Sequence, residues 1–436
     1  MRRLALILLA VPAVASASIF DTFGFGSRGV SMGNALTAAA LDYHATYYNP
    51  AQLMARHETH VGMGITLVEP FLTIDRRYAQ SDYDSVLPDT NMGFYLGTST
   101  TLGGVFHDKL AFGFAFFVPM MRLTRAESVD YRVPQMTMYE NLPDKLIVLV
   151  AGAGEPFPWL RLGVGTQILA DLDGSADVDL SLVDQRVTRR RLSIDLHADL
   201  AVTAGISVVP MDGLTFGVSY RESLDLAYKL PIRARIDQVG LLSFSIAGTS
   251  LYTPHQLSAG ASWQLPWAPV LISTDVTWAL WSHSPSPSPD VSITIDDTGM
   301  LADPEHSTPI NVVDVHSVPT SLQARDVVIP RVGVEADVGA GFHVRGGYAY
   351  RPTPVPVQRY ETNYVDSDAH VVSLGTSWTF ADPLKVTKAP LTIGAAFGLT
   401  MLRERRYDKL DPADPTGDYT VRGNVFSFVL DLQHDF

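Results

Sequence analysis

From residue 192 to 202 the chain reads LSIDLHADLAV. The even positions are Leu192, Ile194, Leu196, Ala198, Leu200 and Val202; the odd ones are Ser193, Asp195, His197, Asp199 and Ala201. One face is apolar and the other carries three ionisable groups. The same period of two recurs in LTFGVSY (214–220), FHVRGGYAY (342–350) and VSLGTSWTF (372–380). Alternate side chains of a strand point to opposite faces. A sustained alternation over about 9–11 residues is what a membrane-crossing barrel strand needs, apolar toward lipid and polar toward the lumen. A soluble β-sandwich also alternates, but with shorter strands and more charge. Here charged residues are 18 % and hydrophobic residues 46 % of 436, against roughly 25 % charged in soluble domains. The chain has no cysteine, so a closed sheet or a large core has to replace disulfides.

Alternating segments fall near 60–76, 91–102, 109–124, 145–154, 159–173, 192–209, 213–230, 255–265, 269–281, 326–338, 341–351, 369–380, 389–403 and 420–436. That is about fourteen strands, an even number as bacterial barrels require. Their connections alternate too. EPFP (155–158), MDG (211–213), LPWAP (265–269) and VGAG (338–341) are short; 125–144, 174–191, 231–254, 282–325, 352–368 and 404–419 are long. Short periplasmic turns opposite long extracellular loops are the topology of an outer-membrane barrel. The predicted fold class is therefore all-β: a transmembrane antiparallel barrel of about 14 strands, at residues 58–436. The last strand, NVFSFVLDLQHDF, ends on Phe436, an ending that looks like the signal read by the barrel assembly machinery.

The N-terminus fits export. Arg2 and Arg3, an apolar run from Leu4 to Val14 and Ala15-Ser16-Ala17 form the three parts of a signal peptide, predicted at 1–17. That layout also disposes of a G-x-G-x-x-G at 24–29, GFGSRG: a dinucleotide fingerprint needs a buried strand before it, and cleavage leaves no room for one.

Residues 18–57 lack the period of two. GVSMGNALTAAALDYHATYYNPAQLMAR is rich in small and aromatic residues, a composition suited to packing rather than to a free linker. At this segment the sequence resembles the FadL/TodX family of outer-membrane transporters for long-chain fatty acids and aromatic hydrocarbons. The resemblance is carried by Gly29, Met32, Gly33 and Ala35 in RGVSMGNA, by Asp42, and by YYNPAQL with Asn49-Pro50-Ala51. It continues in TPHQLSAGASWQL, DVTWALWS, RDVVIPRVGVEADVGAGFHVRGGYAYRPTPVP and VDSDAHVVSLGTSWTF. It implies that 18–57 is a hatch (plug) of short helices inside the lumen. Asn49, Pro50 and Ala51 are its motif, and Gly29 and Gly33 mark its turns. It also implies that a hydrophobic ligand passes the hatch and leaves sideways through a kinked strand.

For that lateral gate the sequence offers Phe117, Pro119 and Met120 in LAFGFAFFVPMMRL, since proline cannot donate to a strand ladder; the alternative places Pro119 beyond the pairing, where the strand leaves the membrane. His343, Arg345 and Arg221 alternate with lipid-facing residues and are candidate lumen contacts, an arginine being suited to a carboxylate; internal ion pairs are the other use for them. Met120 and Met121 suit an adaptable pocket or a lipid-facing position. HETH (57–60) has two histidines but no identifiable third ligand, and marks the start of the first strand. YDKLDPADPTGDY (407–419) departs from the EF-hand spacing and reads as a solvated loop. RVTRRR (186–191) suits lipopolysaccharide phosphates or solvent, and PSPSP (285–289) an extended external loop.

The function these features imply is outer-membrane transport of hydrophobic small molecules, foremost long-chain fatty acids, with aromatic hydrocarbon uptake as the alternative. A structural or adhesive barrel working through its loops stays open. A diffusion porin leaves 18–57 without a use, and a barrel hydrolase lacks a G-x-S-x-G. No enzyme activity, cofactor or metal is expected. The expected partners are the ligand, outer-membrane lipids and lipopolysaccharide, and the assembly machinery at Phe436, for a monomer. The net charge of −14 speaks against nucleic acid.

Overall fold

The computed structural model describes residues 19–76, 85–121, 131–136, 138–139, 145–181, 186–236, 240–286, 290–296, 311–317, 320–382 and 389–436. The expected signal peptide lies outside them.

Three short helices come first: α1 (Ile19–Phe23), α2 (Gly26–Ser31) and α3 (Ala45–Tyr48), with a 3-10 turn at Pro50–Met54. Strands β1 (His60–Asp75), β2 (Asn91–Thr101), β3 (Leu110–Pro119), β4 (Gln135–Met136) and β5 (Ile147–Phe157) follow. Next are β6 (Leu160–Ser181), β7 (Arg186–Met211), β8 (Leu214–Arg221), β9 (Leu224–Ile236) and β10 (Gly240–Thr253). Then come β11 (Gln256–Gln264), β12 (Val270–Ala279), β13 (Asp290–Asp296), β14 (Asn311–His316) and β15 (Val327–Gly339). The chain finishes with β16 (Phe342–Arg351), β17 (Tyr364–Val365), β18 (Ala369–Ala381), β19 (Pro390–Tyr407) and β20 (Tyr419–Asp435).

Fourteen of these strands form one antiparallel ring: β1, β2, β3, β5, β6, β7, β8, β11, β12, β15, β16, β18, β19 and β20. The ring closes between the first and last strands, from His60 opposite Asp435 to Asp75 opposite Thr420. Closure removes the sheet edges that hydrocarbon cannot satisfy. The alternation sorts side chains as the sequence predicts. On β16, Phe342, Val344 and Tyr348 are exposed on the outside while Arg345, Ala349 and Arg351 point in. Aromatic residues gather at the short-turn end, where Phe157 stacks on Trp159 at 5.6 Å and Phe342 on Trp378 at 5.4 Å. Tyr220, Trp278 and Tyr348 are exposed toward the other end. Such girdles mark the two interfaces of an outer-membrane barrel.

The long-loop side departs from expectation. The segments 174–191, 231–254 and 282–325, expected as loops, hold much strand. β6 and β7 continue past the barrel, β9 joins β6 in parallel, and β10, β13 and β14 add on in turn. RVTRRR is part of β7, and the predicted strand 213–230 divides at 222–223 into β8 and β9. The described end of PSPSP, 285–286, is irregular.

Candidate functional site

Residues 19–54 lie inside the ring. Their contacts reach the wall on all sides: Ser27 to Asp431 on β20, Arg28 to Glu335 on β15, Thr37 to Asp275 on β12, and Ala38 to Ser262 on β11. Asn49 reaches Ser207 on β7, and Phe20 meets Phe117 on β3 at 5.4 Å between rings. The segment packs on itself through Phe20, Phe25, Tyr43, His44, Tyr47 and Tyr48. Each aromatic pair contributes about 0.5–1.5 kcal/mol beyond its buried area.

The Asn49-Pro50-Ala51 motif is a docking element. Pro50 opens the 3-10 turn, where a missing N–H costs nothing. The Asn49 side chain accepts from Ala51 N–H at 3.1 Å, and its amide donates to the Thr37 carbonyl at 2.7 Å and Ser207 Oγ at 3.2 Å. Gln52 donates to the same hydroxyl at 3.1 Å. The turn sits against wall glycines: a Cβ at Gly163 would lie 2.3 Å from Ala51 N, and one at Gly205 1.9 Å from Asn49 Oδ1. These inward glycines are a signal that the sequence reading passed over, because a strand glycine has no meaning until its neighbour is known.

The two expected turn glycines differ. Gly33 has φ +62° and touches the wall at Tyr348 N, so it turns and packs closely. Gly29 is not a turn position: it lies within α2, and a Cβ there would strike Tyr48 Oη at 2.1 Å. Gly24 and Gly26, with φ of +93° and +75°, turn the chain instead.

The charged candidates are likewise redistributed. Arg345 does not project freely into the lumen; it pairs with Glu335, which also takes two bonds from Arg28, at 2.8 and 3.1 Å. Arg221 pairs with Asp21 at 2.5 Å, donates to the Tyr47 carbonyl at 2.8 Å and covers the Tyr47 ring at 3.9 Å. Both guanidiniums are thus committed to the lumen's own acids, because a buried cation without a partner is costly. His343 shares the inward face of β16 but sits beside the 339–341 turn, far along the strand from Arg351.

At the expected gate, Phe117 is fully buried against Phe20. Pro119 is the last residue of β3 rather than a mid-strand kink, and it is in register with Gly93 of β2. Met120 N–H donates to the Met92 carbonyl at 2.8 Å, on the β2 side, and Met120 and Met121 are exposed. Successive N–H groups of a strand point to opposite neighbours, so the donor missing at Pro119 is the one facing β5. On that side the ladder ends earlier, at Phe117 opposite Ile147.

Between the segment and the long-loop end lie two adjoining narrow clefts, each with a volume of about 30 Å³. They share Asp21, Gln256 and Arg331. Phe20 and Tyr47 line one; Met138, Trp281, Ile329 and Arg351 line the other. Arg351 bonds Tyr139 at 2.5 Å and Asp366 at 3.1 Å, while its Nε and Nη1 are buried with no partner among the described residues. Neither Arg331 nor Arg351 stood out in the sequence. His60 opens β1 as expected and bonds Asp435 at 2.7 Å. Glu58 lies close to both, with one polar atom from each of the three within 4.8 Å of the others; His57, the other histidine of HETH, is not part of this group.

No family model matches the chain. The crystal structure of a Pseudomonas aeruginosa FadL homologue superposes with a TM-score of 0.58 at 15 % identity, covering 98 % of this chain and 99 % of that one. The chain has the FadL fold. The toluene transporter TodX of P. putida gives a TM-score of 0.57 at 14 % identity, over 95 % and 99 % of the two chains. In sequence, this FadL-type barrel is 25 % identical over 452 residues to alkane uptake protein A of Marinobacter nauticus, covering 96 % of this chain and 94 % of that protein. The FadL-type barrel is an outer-membrane protein; of these relatives one is named a toluene transporter and one an alkane uptake protein.

Proposed function

We propose that this barrel takes up hydrophobic small molecules across the outer membrane, with residues 18–57 as a hatch and the β3–β5 seam as the exit into the bilayer. What carries the reading is the position of residues 19–54, bonded to the wall on every side of the ring. A lumen filled in this way is a poor water channel. An acyl or alkyl chain gains about 0.8 kcal/mol for each CH₂ kept from water, so a sideways exit suits it. Supporting the exit are the short β5 ladder, the missing donor of Pro119 and the contact of Phe117 with the hatch. The full-length likeness to an alkane uptake protein and to toluene transporters supports an apolar ligand.

Among such ligands we infer a long-chain fatty acid first. The unpartnered Nε and Nη1 of Arg351, beside Arg331 in the clefts, suit a carboxylate head. Unsubstituted alkanes are the second reading, favoured by the relative's name. The test is uptake of a radiolabelled long-chain fatty acid, and separately of an alkane, by cells lacking their own transporter. Wild type is compared with a deletion of Asn49-Pro50-Ala51 and with Arg351→Met. Fatty acid uptake that needs both features supports the reading. Alkane uptake indifferent to Arg351→Met selects the second ligand. No uptake of either by correctly inserted protein refutes transport.

A further inference from the structure

The sheet beyond the barrel mouth has two unlike faces. Register places Ala176, Ile232, Phe244, Ile293 and Val315 in one row across β6, β9, β10, β13 and β14. The flanking rows are apolar too: Leu242 pairs with Ile295, and Ile246 with Val291. The opposite face carries the row Asp177, Arg233, Ser243, Thr294 and Asp314. Ile232 is 40 % exposed and Val315 53 %, while Phe244 and Ile293 between them are half-buried by their neighbours in the sheet, so the apolar row reaches solvent at both of its ends.

Three observations choose its occupant. First, the face continues the bilayer-facing wall. β6 keeps an unbroken register with β7 from Leu160 to Asp179, so Ala176 shares a side with Leu162 and Val164, which are exposed on the outside of the barrel. Second, the bilayer itself ends short of it. From 164 to 176 a strand tilted about 40° climbs roughly 30 Å, as much as the whole apolar band of such a barrel. Third, the face is small and chemically plain. Five strands by three rows, at about 4.8 by 6.8 Å for each position, give roughly 500 Å², short of the ~800 Å² per partner of a stable protein interface. Its side chains have no donors or acceptors, whereas protein interfaces carry about one hydrogen bond per 100–200 Å².

We propose that this face docks onto the surface of an extracellular hydrocarbon droplet, holding the barrel's mouth at the source of its ligand. The proposal rests on the uptake reading only in taking the ligand to be insoluble enough to form a separate phase. The chain has no cysteine, so single labels are unambiguous. Ile232→Cys and Arg233→Cys each carry a polarity-sensitive fluorophore on the full-length protein in nanodiscs, and a hexadecane emulsion is added. The expected result is a blue shift with several-fold brightening at 232 and none at 233. Equal responses at the two positions, or none, overturn it. A label at 232 that is already blue-shifted without droplets, or that shifts with protein concentration alone, gives the face to the bilayer or to a second copy and also overturns it. In cells, Phe244→Thr with Ile293→Thr should lose adhesion to droplets while keeping uptake of the same hydrocarbon from micelles; unchanged adhesion counts against the proposal. Because 232 and 233 are read on folded wild-type-like protein, that arm stands even where the double variant inserts poorly. Loss of micellar uptake by the wild type would sink the transport reading and leave the fluorescence result intact.

Discussion

Gly163 is the position where one methyl group tests the docking of the hatch. It faces the lumen on β6, and a Cβ built there lies 2.3 Å from Ala51 N and 2.4 Å from the Pro50 carbonyl carbon. Both are backbone atoms, so no rotamer relieves the clash. Ordinary contact lies near 3.5 Å, which requires the 3-10 turn and the strand to separate by roughly 1 Å. Asn49 holds Ser207 at 3.2 Å, and a displacement of that size takes the pair out of hydrogen-bonding range. Overpacking costs about 1–3 kcal/mol, which multiplies the ratio of undocked to docked hatch by about 5–150. The lipid-facing side of β6 is untouched, so the barrel should insert and keep its resistance to heat. The expected outcome of Gly163→Ala is therefore a correctly inserted barrel with raised ion conductance in planar bilayers and faster cleavage of residues 19–54 by protease. Gly152→Ala is the control, its nearest contact being Ala111 O at an ordinary 3.8 Å. Equal conductance and cleavage in the two variants would refute the reasoning, since the close approach at Gly163 would then not set the docking.

Asn49→Ala leaves the Thr37 carbonyl and Ala51 N–H without their partner, a loss of about 1–3 kcal/mol, and should raise cleavage of the hatch to a similar degree. Arg221→Met strands Asp21 in the lumen at a cost of about 3–5 kcal/mol; adding Asp21→Asn should restore resistance to protease, and a failure to do so would show that the ion pair is not what holds α1. Pro119→Val returns a donor toward β5 and should slow uptake without changing conductance; unchanged uptake counts against the β3–β5 exit. In the extracellular loop at 408–418, burial lowers the Lys409 amine to about 8 although Asp414 and Asp418 favour its charge. Between that value and the ordinary 10.5 the unfolded loop binds a proton that the folded loop lacks, so loop stability rises with pH across this window. Proteolysis of the loop should slow accordingly from pH 8 to 10.5, and a Lys409→Met variant should show no such trend.

The barrel was legible because its physics is local. Period two, strand length and the alternation of short and long connections are each written in consecutive residues, and all fourteen wall strands follow from them. The sheet beyond the mouth was missed for a related reason. In PIRARID and LLSFSIA the same alternation is present, but strand pairing between β6 and β9, more than fifty residues apart, leaves no local mark that separates an external strand from a long loop. The candidate site was less legible still. That Asn49 docks the hatch could be guessed from likeness, but Gly163 and Gly205 acquire their meaning only from what is placed against them. Arg331 and Arg351 follow the same rule as Arg345 and Arg221 in the alternation; only the positions of Glu335, Asp21 and Asp366 decide which nitrogens of each guanidinium are already used.

That division bears on the route through the protein. Glu335 holds Arg28 of the hatch and Arg345 of the wall together, and Asp431 takes two bonds from Ser27 and one from Tyr95. Hatch and wall therefore neutralise each other, and withdrawing the segment would leave Arg345 with its carboxylate but strip Glu335 of Arg28, and part Arg221 from Asp21. Each buried charge left alone costs several kcal/mol. A path that passes beside the hatch and out through the wall avoids that cost. The β3–β5 ladder ends at Phe117, the wall residue that Phe20 of the hatch touches, so on the proposed route a shift of α1 would be the link between occupancy of the clefts and the opening of the seam.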